Sequence, residues 1–454
     1  MSVMPPTVFE FGYLCSDKNE GDQQGYTVIP DADFCYLEER CLTEDNSGFN
    51  QLMIPLIKRG RRLLQVQNFV GVIFVPSGRH IEVLPKTGLD SDSGETTYEE
   101  VRSTLLTMLQ ALGEFRHIQL DNAGLKALKM PLLEVFISRF LEDVNHIVKR
   151  GLKCDYVGQE ENLLVKKGKL NKSGQLRHNI VAKHRFYCEF DEYAENRPVN
   201  RLLKTAMLTV QGYCGDHCNQ KLLRELLFAF DAVPKSFNPK QDFDSVKLDR
   251  GMQHYKPALA WAKLILDGSS PISMKGLADA PSLLFPMESV FEAFVAKTLR
   301  NQLKDGLTLH TQARDEKLVT HHVESSKQRD LFILKPDLMI EKEGVPLCVL
   351  DTKWKRINPQ STKDFDLSQA DFYQMFAYGQ KYLKGRGKLV LIYPKTERFN
   401  SPIQGHFAFS EELKLWVLPF SIEKNGGSEL VLPEDATLDE ELFFSLAYTV
   451  TQAA

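Results

Sequence analysis

The 454-residue sequence lacks any uninterrupted apolar run of about eighteen residues, the length that a membrane-spanning helix requires. It also lacks a basic N-terminal segment followed by an apolar one, so no secretory signal is expected. Cysteine is sparse: the eight residues are too scattered for a disulfide framework, and reduced thiols are expected. These absences predict a protein without membrane association, located in the cytoplasm.

Positive charge is not in excess either, because 56 lysines and arginines face 60 acids and the net charge is −4. Lysine and arginine supply most of a protein's affinity for nucleic acid by neutralising phosphates, so DNA binding here requires local basic patches or a partner. The sequence has no Gly-x-x-x-x-Gly-Lys-Ser/Thr motif. Nucleotide binding by a phosphate-cradling loop is therefore expected of a partner and not of this chain.

Hydrophobic patterning divides the chain into two regions, residues 1–275 and residues 276–454. The patterning of the first region predicts an α+β structure with β-hairpins and helices. The segment from Gly268 to Pro286, rich in glycine, serine and proline, predicts the linker between the regions. Within the first region we expect β-rich structure over 1–90, helices over 98–150, a basic segment over 156–190 and helices over 197–267. The β-rich part is predicted to include a strand from Thr7 to Leu14 and a hairpin of Val70 to Val75 with His80 to Leu84, and the last helical part includes one stretch from Asn200 to Phe230.

Two acids and a lysine accompany strand-like segments of the second region. The apolar segment from Leu331 to Leu334 is predicted to run through Asp337 directly into the strand containing Met339. A turn follows, and Asp351 and Lys353 come at the end of a second apolar segment. Because side chains alternate along a strand, Asp351 and Lys353 share one face, and Asp337 can converge with them. Carboxylates suit Mg²⁺ or Mn²⁺, which lower the pKa of an attacking water. The pattern predicts phosphodiester hydrolysis, with ordinary surface charges on a hairpin as the competing interpretation.

A helix is predicted after these strands, from about Ser368 to Leu383. Gln374 and Tyr378 are four residues apart and share a face, with Asp371 on the same side. Core packing is an equally good interpretation of Tyr378, because aromatic residues at helical spacing are often simply buried.

This order of motifs resembles the PD-(D/E)xK nucleases, specifically the RecB-like branch, in which a Gln-x-x-x-Tyr helix follows the Asp-x-Lys strand. The resemblance implies that residues 276–454 form an α/β restriction-endonuclease-like domain with a central mixed sheet flanked by helices. It implies that Asp337 and Asp351 bind the metal and that Lys353 is catalytic. Gln374 would support the metal site or the substrate, and Tyr378 would position the helix or the nucleic acid.

The same resemblance implies a further acid from the helix before the sheet. Glu292 is our choice, and Glu288 lies on the same helical face one turn earlier. A solvated helix face is the competing interpretation of both glutamates. Lys355 and Arg356 extend a short basic run after Lys353, and they fit either phosphate contacts or a solvated basic edge.

A second basic segment runs from Lys166 to Arg185 without any acid. Such a segment is either a solvated loop or a contact surface. The candidate partner-binding residues in it are Lys166, Lys167, Lys169, Arg177, Lys183 and Arg185.

A narrower resemblance, to the McrC family, covers about residues 60 to 380. It is carried, in the order found in that family, by Phe69 to Ile73 with Ile81 to Lys86, Arg150-Gly151-Leu152, Tyr156, Glu161-Asn162, Lys167-Gly168-Lys169, Asn200 to Lys204, Asp351 to Lys355, and Asp371 to Tyr378. One departure is Lys167, where the family pattern has an arginine, because lysine keeps the charge but loses the planar fork.

The McrC resemblance implies an Mg²⁺-dependent DNA endonuclease subunit of a modification-dependent restriction system. Its partner would be an McrB-like hexameric AAA+ GTPase, which binds the GTP and recognises methylated cytosine in DNA. The resemblance implies that the N-terminal α+β region is a stalk or adaptor that inserts into the ring and stimulates GTP hydrolysis. The segment from Lys166 to Arg185 would then lie at or near the inserted tip. Two alternatives stay open: a stand-alone RecB-like repair nuclease, and an activator of an AAA+ partner whose nuclease domain is not catalytic.

Overall fold

A computed structural model describes residues 5–17, 26–42, 52–75, 77, 79–86, 98–111, 130–267, 282–314, 316–323, 327–361, 364–423 and 427–433. The strands are β1 Thr7–Phe9, β2 Tyr13–Ser16, β3 Thr27–Ile29, β4 Met53–Lys58, β5 Arg61–Val66, β6 Phe69–Phe74, β7 His80–Leu84, β8 Asp155–Leu163, β9 Lys169–Leu170, β10 Phe186–Ala194, β11 Ser282–Pro286, β12 Leu307–Thr311, β13 Lys317–Val323, β14 Lys327–Ile333, β15 Leu338–Lys342, β16 Val345–Thr352, β17 Gly387–Pro394, β18 Phe407–Ala408, β19 Leu413–Ser421 and β20 Glu429–Leu430.

The helices are α1 Asp31–Leu42, α2 Tyr98–Leu109, α3 Leu132–Arg150, α4 Lys172–His178, α5 Pro198–Gln211, α6 His217–Ala229, α7 Pro239–Ser245, α8 Lys256–Asp267, α9 Met287–Gln302 and α10 Gln369–Tyr382, with 3₁₀ turns at Arg250–Tyr255 and Asp364–Asp366. Within the described ranges no helix combines the length and the apolar character needed to cross a membrane.

Two four-stranded sheets form the N-terminal part, in the orders β3-β2-β5-β4 and β1-β7-β6-β11. The predicted hairpin is confirmed, because β6 and β7 pair antiparallel with Gly71 opposite Val83. The strand predicted from Thr7 to Leu14 is instead interrupted between β1 and β2, where Phe11 has a positive φ of 60°. Alternation of side chains could not reveal this turn, because Phe11 is a residue type that favours strands.

The second sheet explains one glycine. Gly71 has a φ of +130°, and a Cβ there would collide with the carbonyl oxygen of Leu283 on β11. Since β11 pairs with β6 along its whole length, this strand joins the N-terminal sheet. Residues 268–281 of the predicted linker, and with them the predicted boundary at 275, lie outside the described residues.

Helices α3, α5, α6 and α8 pack together around a core of buried leucine, valine and phenylalanine side chains. The single helical stretch predicted from Asn200 to Phe230 is two helices, because the chain turns after Gln211 and Asp216 caps α6 by accepting hydrogen bonds from Cys218 N and Asn219 N. The buried Glu134 carboxylate accepts hydrogen bonds from the backbone of Gly215 and Asp216. This carboxylate therefore holds the turn between the two helices.

The segment from Asn200 to Lys204 forms structural joints. Asn200 Nδ2 donates to the carbonyls of Lys153, just before β8, and Glu195, just after β10, so α5 is joined to both strands at the same end of the β8–β10 pair. Arg201 makes a two-pronged ion pair with Asp242, whose carboxylate has a pKa lowered by that contact. These contacts anchor the long antiparallel pair β8–β10, which carries α4 and the short β9 between its strands.

The C-terminal sheet has the order β12-β15-β16-β17-β19-β18, with β20 paired to β19. It is mixed: β16, β17 and β19 run parallel, and the other pairs are antiparallel. Alternate residues of its strands pack on different helices. Leu338 and Leu350 share a core with α9, whereas Met339 and Val349 share one with α10. The sheet therefore lies between the two helices, as the sequence predicted for the second region.

Strands β13 and β14 form a separate two-stranded ribbon inserted between β12 and β15. The prediction that Leu331 to Leu334 leads directly into the strand containing Met339 was therefore wrong. The apolar character is the same in both segments, and only the pairing partners distinguish them.

Candidate active site

Asp337 and Asp351 meet where two neighbouring strands approach the same edge of the C-terminal sheet. Strand β15 begins at Leu338, which lies opposite Leu350 in the antiparallel strand β16. Asp337, just before Leu338, therefore lies beside Asp351, just after Leu350. Asp337 Oδ2 accepts hydrogen bonds from the backbone nitrogen of Thr352 at 2.8 Å and from its hydroxyl at 2.7 Å. The expected convergence of the two acids is therefore present.

Lys353 reaches back into this site. Its Nζ lies 2.6 Å from Asp351 Oδ2, lies 3.8 Å from Asp371 Oδ1 and donates to Gln374 Oε1 at 2.9 Å. Its backbone nitrogen donates to the carbonyl of Ile392 on β17, which fixes the chain just past the end of β16. The ammonium group is thus held on the side of the site that α10 covers.

Helix α10 contributes Gln374 and Tyr378 to the same cluster. Gln374 Nε2 donates to the Tyr378 hydroxyl at 2.7 Å and to Asp351 Oδ1 at 3.4 Å. The Tyr378 hydroxyl in turn donates to the carbonyl of Lys335 at 2.8 Å. Tyr378 is buried, and burial raises its pKa to about 12. It serves both as core packing and as a support for the segment that leads to Asp337.

Asp371 also belongs to this cluster. The sequence placed it on the same helical face as Gln374 and Tyr378 but gave it no role in the site. Its buried carboxylate lies 3.3 Å from Lys355 Nζ and accepts a hydrogen bond from the Tyr393 hydroxyl at 3.4 Å. Asp371 therefore faces both Lys353 and Lys355. The available signal was an acid three residues before Gln374, on the face that otherwise carries buried residues.

Of the two glutamates proposed on α9, Glu292 is the one beside the acids. Burial and the charges of Asp337 and Asp351 raise its pKa to about 7, and Gln312 Nε2 donates to its Oε1 at 3.2 Å. Glu288 is exposed one turn earlier. The two glutamates differ in position because only the turn of α9 that carries Glu292 lies near the start of β15.

Lys355 and Arg356, which the sequence left as either phosphate contacts or a solvated basic edge, both make contacts within the protein. Lys355 forms the ion pair with Asp371. Arg356 Nη2 donates to the carbonyl of Lys86 in the N-terminal part of the chain. Next to them, the indole nitrogen of Trp354 donates to both oxygens of the buried Glu10 carboxylate, at 2.9 and 3.0 Å. Local sequence could not predict these contacts with residues so distant in the chain.

The electrostatics of the site favour a cation. Asp351 is 1% exposed, and burial together with the Asp337 charge raises its pKa despite the nearby Lys353. Asp351 Oδ2 accepts no hydrogen bond of good geometry, although it is ion-paired with Lys353. Within the described residues no three histidine, cysteine, aspartate or glutamate side chains are already grouped as a metal cage. Two carboxylates with water and one further acid are nevertheless a sufficient donor set for Mg²⁺.

The basic tip lies between β8 and β10, at the end opposite the junction with α5. All of the candidate partner-binding side chains named above are exposed, and Lys167 Nζ lies 3.9 Å from the centre of the Phe190 ring. The tip also carries apolar residues that were not among the predicted contact residues. They are also exposed, up to 94% for Val181, and they are Leu164, Val165, Leu176, Ile180 and Val181.

Comparisons with known proteins address the whole chain. The family model for McrBC 5-methylcytosine restriction system components matches residues 64–394. The structure is similar to a chain of the half-complex from a tetradecameric assembly of Thermococcus gammatolerans McrB AAA+ hexamers with bound McrC, with 20% identity, a TM-score of 0.64, and coverage of 93% of this chain and 96% of that chain.

A chain of the Thermococcus gammatolerans McrBC complex, determined by cryo-EM, matches with 20% identity and a TM-score of 0.46, covering 65% of this chain and 87% of that chain. No curated protein matches the sequence. The first likeness shows a fold that is shared over nearly the full length of both chains.

Proposed function

Because the chain belongs to the family of McrBC 5-methylcytosine restriction system components, we propose that it is the DNA-cleaving subunit of such a system. In this proposal it is a metal-dependent endonuclease of the PD-(D/E)xK type. The observation that carries the proposal is the meeting of Asp337, Asp351 and Lys353 at one sheet edge, with Gln374 bonded to both Lys353 and Asp351. Ordinary charges on a surface hairpin would not be buried and joined by hydrogen bonds and ion pairs in this way.

Asp337, Asp351 and Glu292 are the residues that would hold Mg²⁺ or Mn²⁺. The bound ion would neutralise charge on the scissile phosphate and lower the pKa of the attacking water. Thr352 fixes Oδ2 of Asp337 from the side, which orients that carboxylate before any ligand arrives. Lys353 places a positive charge beside Asp351, where it can orient the water or stabilise developing negative charge.

We further propose that this chain works with a hexameric AAA+ GTPase. Support comes from the shared fold with the Thermococcus gammatolerans assembly, which contains McrB AAA+ hexamers with bound McrC. The partner would bind GTP and read methylated cytosine. The exposed basic and apolar tip between β8 and β10 is the proposed contact with the ring, because a projecting surface of this composition suits insertion between protein subunits.

The test is a cleavage assay on methylated and unmethylated DNA with Mg²⁺, with and without the partner and GTP. We expect cutting only when all components are present. Asp351→Asn should abolish cutting and leave stimulation of GTP hydrolysis intact, while Asp305→Asn, in an exposed turn, is the matched control. Efficient cutting by the chain alone would support a stand-alone nuclease. Unchanged cutting by Asp351→Asn would refute the proposed site.

A further inference from the structure

The ribbon of β13 and β14 projects from the body of the protein. Among the described strands it pairs only with itself. Successive side chains of a strand point to opposite faces. All side chains from Leu318 to His322 are nevertheless exposed, so neither face of β13 is covered over these residues, although the base of the strand lies near α10.

The base of the ribbon is attached directly to the candidate active site. On the β13 side, the backbone nitrogen of Gln312 donates to the carbonyl of Asp337 at 2.9 Å, and its side chain donates to Glu292. On the β14 side, the carbonyl of Leu334 accepts a hydrogen bond at 3.0 Å from the hydroxyl of Tyr382, at the end of α10. Any molecule gripped by the ribbon therefore lies beside the metal-binding carboxylates.

The charge of the ribbon suits a polyanion. Asp330 is the only acid among its described side chains, and it is neutralised by an ion pair with Lys317 and a hydrogen bond from Thr320. The ion pair also braces one strand against the other. Arg329 and His321 face one another across the ribbon and are exposed to solvent.

Phe332 is a second unusual feature of the ribbon. It is 70% exposed although it is a large apolar residue, and its φ is +59°. A bulky residue rarely adopts a positive φ, although Phe11 and Phe365 do so as well, so the exposed ring is the informative feature. Phe332 lies two residues before Leu334, at the end of the ribbon nearest the acids.

We propose that the β13–β14 ribbon is an arm that grips duplex DNA next to the scissile phosphate, an inference that rests on the proposed nuclease function. A two-stranded ribbon fits the major groove of B-DNA. Arg329 and the histidine opposite it supply donors to phosphates and base edges. Phe332 supplies an aromatic face that can pack on the sugar–base surface or wedge between bases.

The first experiment measures DNA affinity of the complete complex in the cleavage-inactive Asp351→Asn background. Arg329→Ala and Phe332→Ala should each weaken binding by about 3- to 10-fold. Arg329→Ala should also reduce the slope of log affinity against log salt by about one, because one phosphate contact is lost. Arg224→Ala and Phe228→Ala, both exposed on α6, are the matched controls and should leave affinity unchanged. Unchanged affinity in both arm variants would overturn the proposal.

The second experiment locates the arm directly. Photoreactive benzoylphenylalanine is introduced at Phe332, and the complete complex is irradiated on DNA. Cross-linking to DNA supports the arm. Cross-linking to the AAA+ partner, or to neither, overturns it. Because cross-linking does not require cutting, a wild-type complex that fails to cleave refutes the nuclease proposal separately.

Discussion

At the scale of single residues, the candidate site concentrates negative charge that water cannot solvate. Glu292 and Asp351 both have raised pKa values because burial and neighbouring carboxylates disfavour their ionised forms. The folded chain without a cation therefore holds protons in this site that it would release on binding one. Protonation and metal binding compete for the same carboxylates.

This competition predicts the pH dependence of stability. The pKa of Glu292 is raised from 4.5 to about 7, so its protonated form stabilises the fold fully below about pH 4.5, and that contribution is lost as the pH rises through about 7. In EDTA, the melting temperature should fall between pH 5.5 and pH 8, and less so in Glu292→Gln. Mn²⁺ should raise it more at pH 8 than at pH 6.

Glu292→Gln is needed as a reference because burial also raises the pKa of Asp143 to about 7. Asp143 therefore also lowers the melting temperature as the pH rises, in wild type and variant alike. Only the difference between wild type and Glu292→Gln reports on the site. Parallel pH curves for the two proteins would contradict the placement of Glu292 among the acids.

Asp371 predicts a distinct kinetic effect. Its carboxylate lies between Lys353 and Lys355, so Asp371→Asn should leave both lysines less well positioned without removing a proposed metal ligand. We expect kcat for DNA cleavage to fall about 10- to 100-fold with little change in KM. A loss of activity of this size is typical when a residue that orients the groups around a metal site is replaced. Steady-state cleavage by the complete complex over a range of DNA concentrations measures both constants.

Tyr393→Phe removes only the hydroxyl that donates to Asp371 and is the milder companion. It should lower kcat less than Asp371→Asn does. If Asp371→Asn instead raised KM and left kcat unchanged, Asp371 would act in DNA binding and not in positioning the lysines.

At the scale of elements, β11 depends on one glycine of β6. Gly71→Ala adds a Cβ that collides with the Leu283 carbonyl at a positive φ, so we expect a loss of roughly 2–4 kcal/mol of unfolding free energy. Gly60→Ala is the matched control: its φ is +75° but nothing lies within 4 Å of the added Cβ, so only about 1 kcal/mol should be lost. Urea unfolding compares the two, and equal losses would mean that β11 does not constrain β6.

The elements also show which features a sequence can predict. Strands β15 and β16 with their turn, helix α10 and the β6–β7 hairpin have strong local patterns, and their positions were correct. The ribbon β13–β14 was missed, because its apolar residues follow the pattern of a buried strand although they are exposed. Apolar periodicity reports that a face exists but not what covers it.

For the candidate site, the motif residues were brought together as expected, whereas their supporting contacts were not foreseen. Thr352 and Asp371 act through hydrogen bonds and ion pairs that depend on side-chain orientation in the folded state. The contact of Arg356 was not foreseen for the same reason, since its acceptor is the backbone carbonyl of Lys86, which follows β7. Spacing along one segment contains no information on such long-range partners.

At the scale of the whole molecule, the strand that carries Asp351 is joined to the N-terminal sheets. Trp354 follows Lys353 by one residue and points to the opposite side, where it donates to Glu10. Glu10 is 3% exposed and also accepts a hydrogen bond from the backbone nitrogen of Lys86 at 3.0 Å. These hydrogen bonds link the backbone beside Lys353 directly to the chain that follows β1 of the N-terminal sheet.

This junction predicts coupling between two residues 344 positions apart. Trp354→Phe keeps most of the packing but leaves the buried Glu10 carboxylate without its indole donor, so we expect a loss of about 1–3 kcal/mol in unfolding free energy. Glu10→Gln keeps an acceptor for the indole and should cost less. In the Trp354→Phe background, the Glu10 carboxylate no longer has an indole donor, so Glu10→Gln removes no contact with residue 354. The double variant should therefore be more stable than the sum of the two losses implies. Strict additivity in a double-mutant cycle would show that the two side chains do not interact. This contact would then not couple the N-terminal sheets to the strand that carries Asp351.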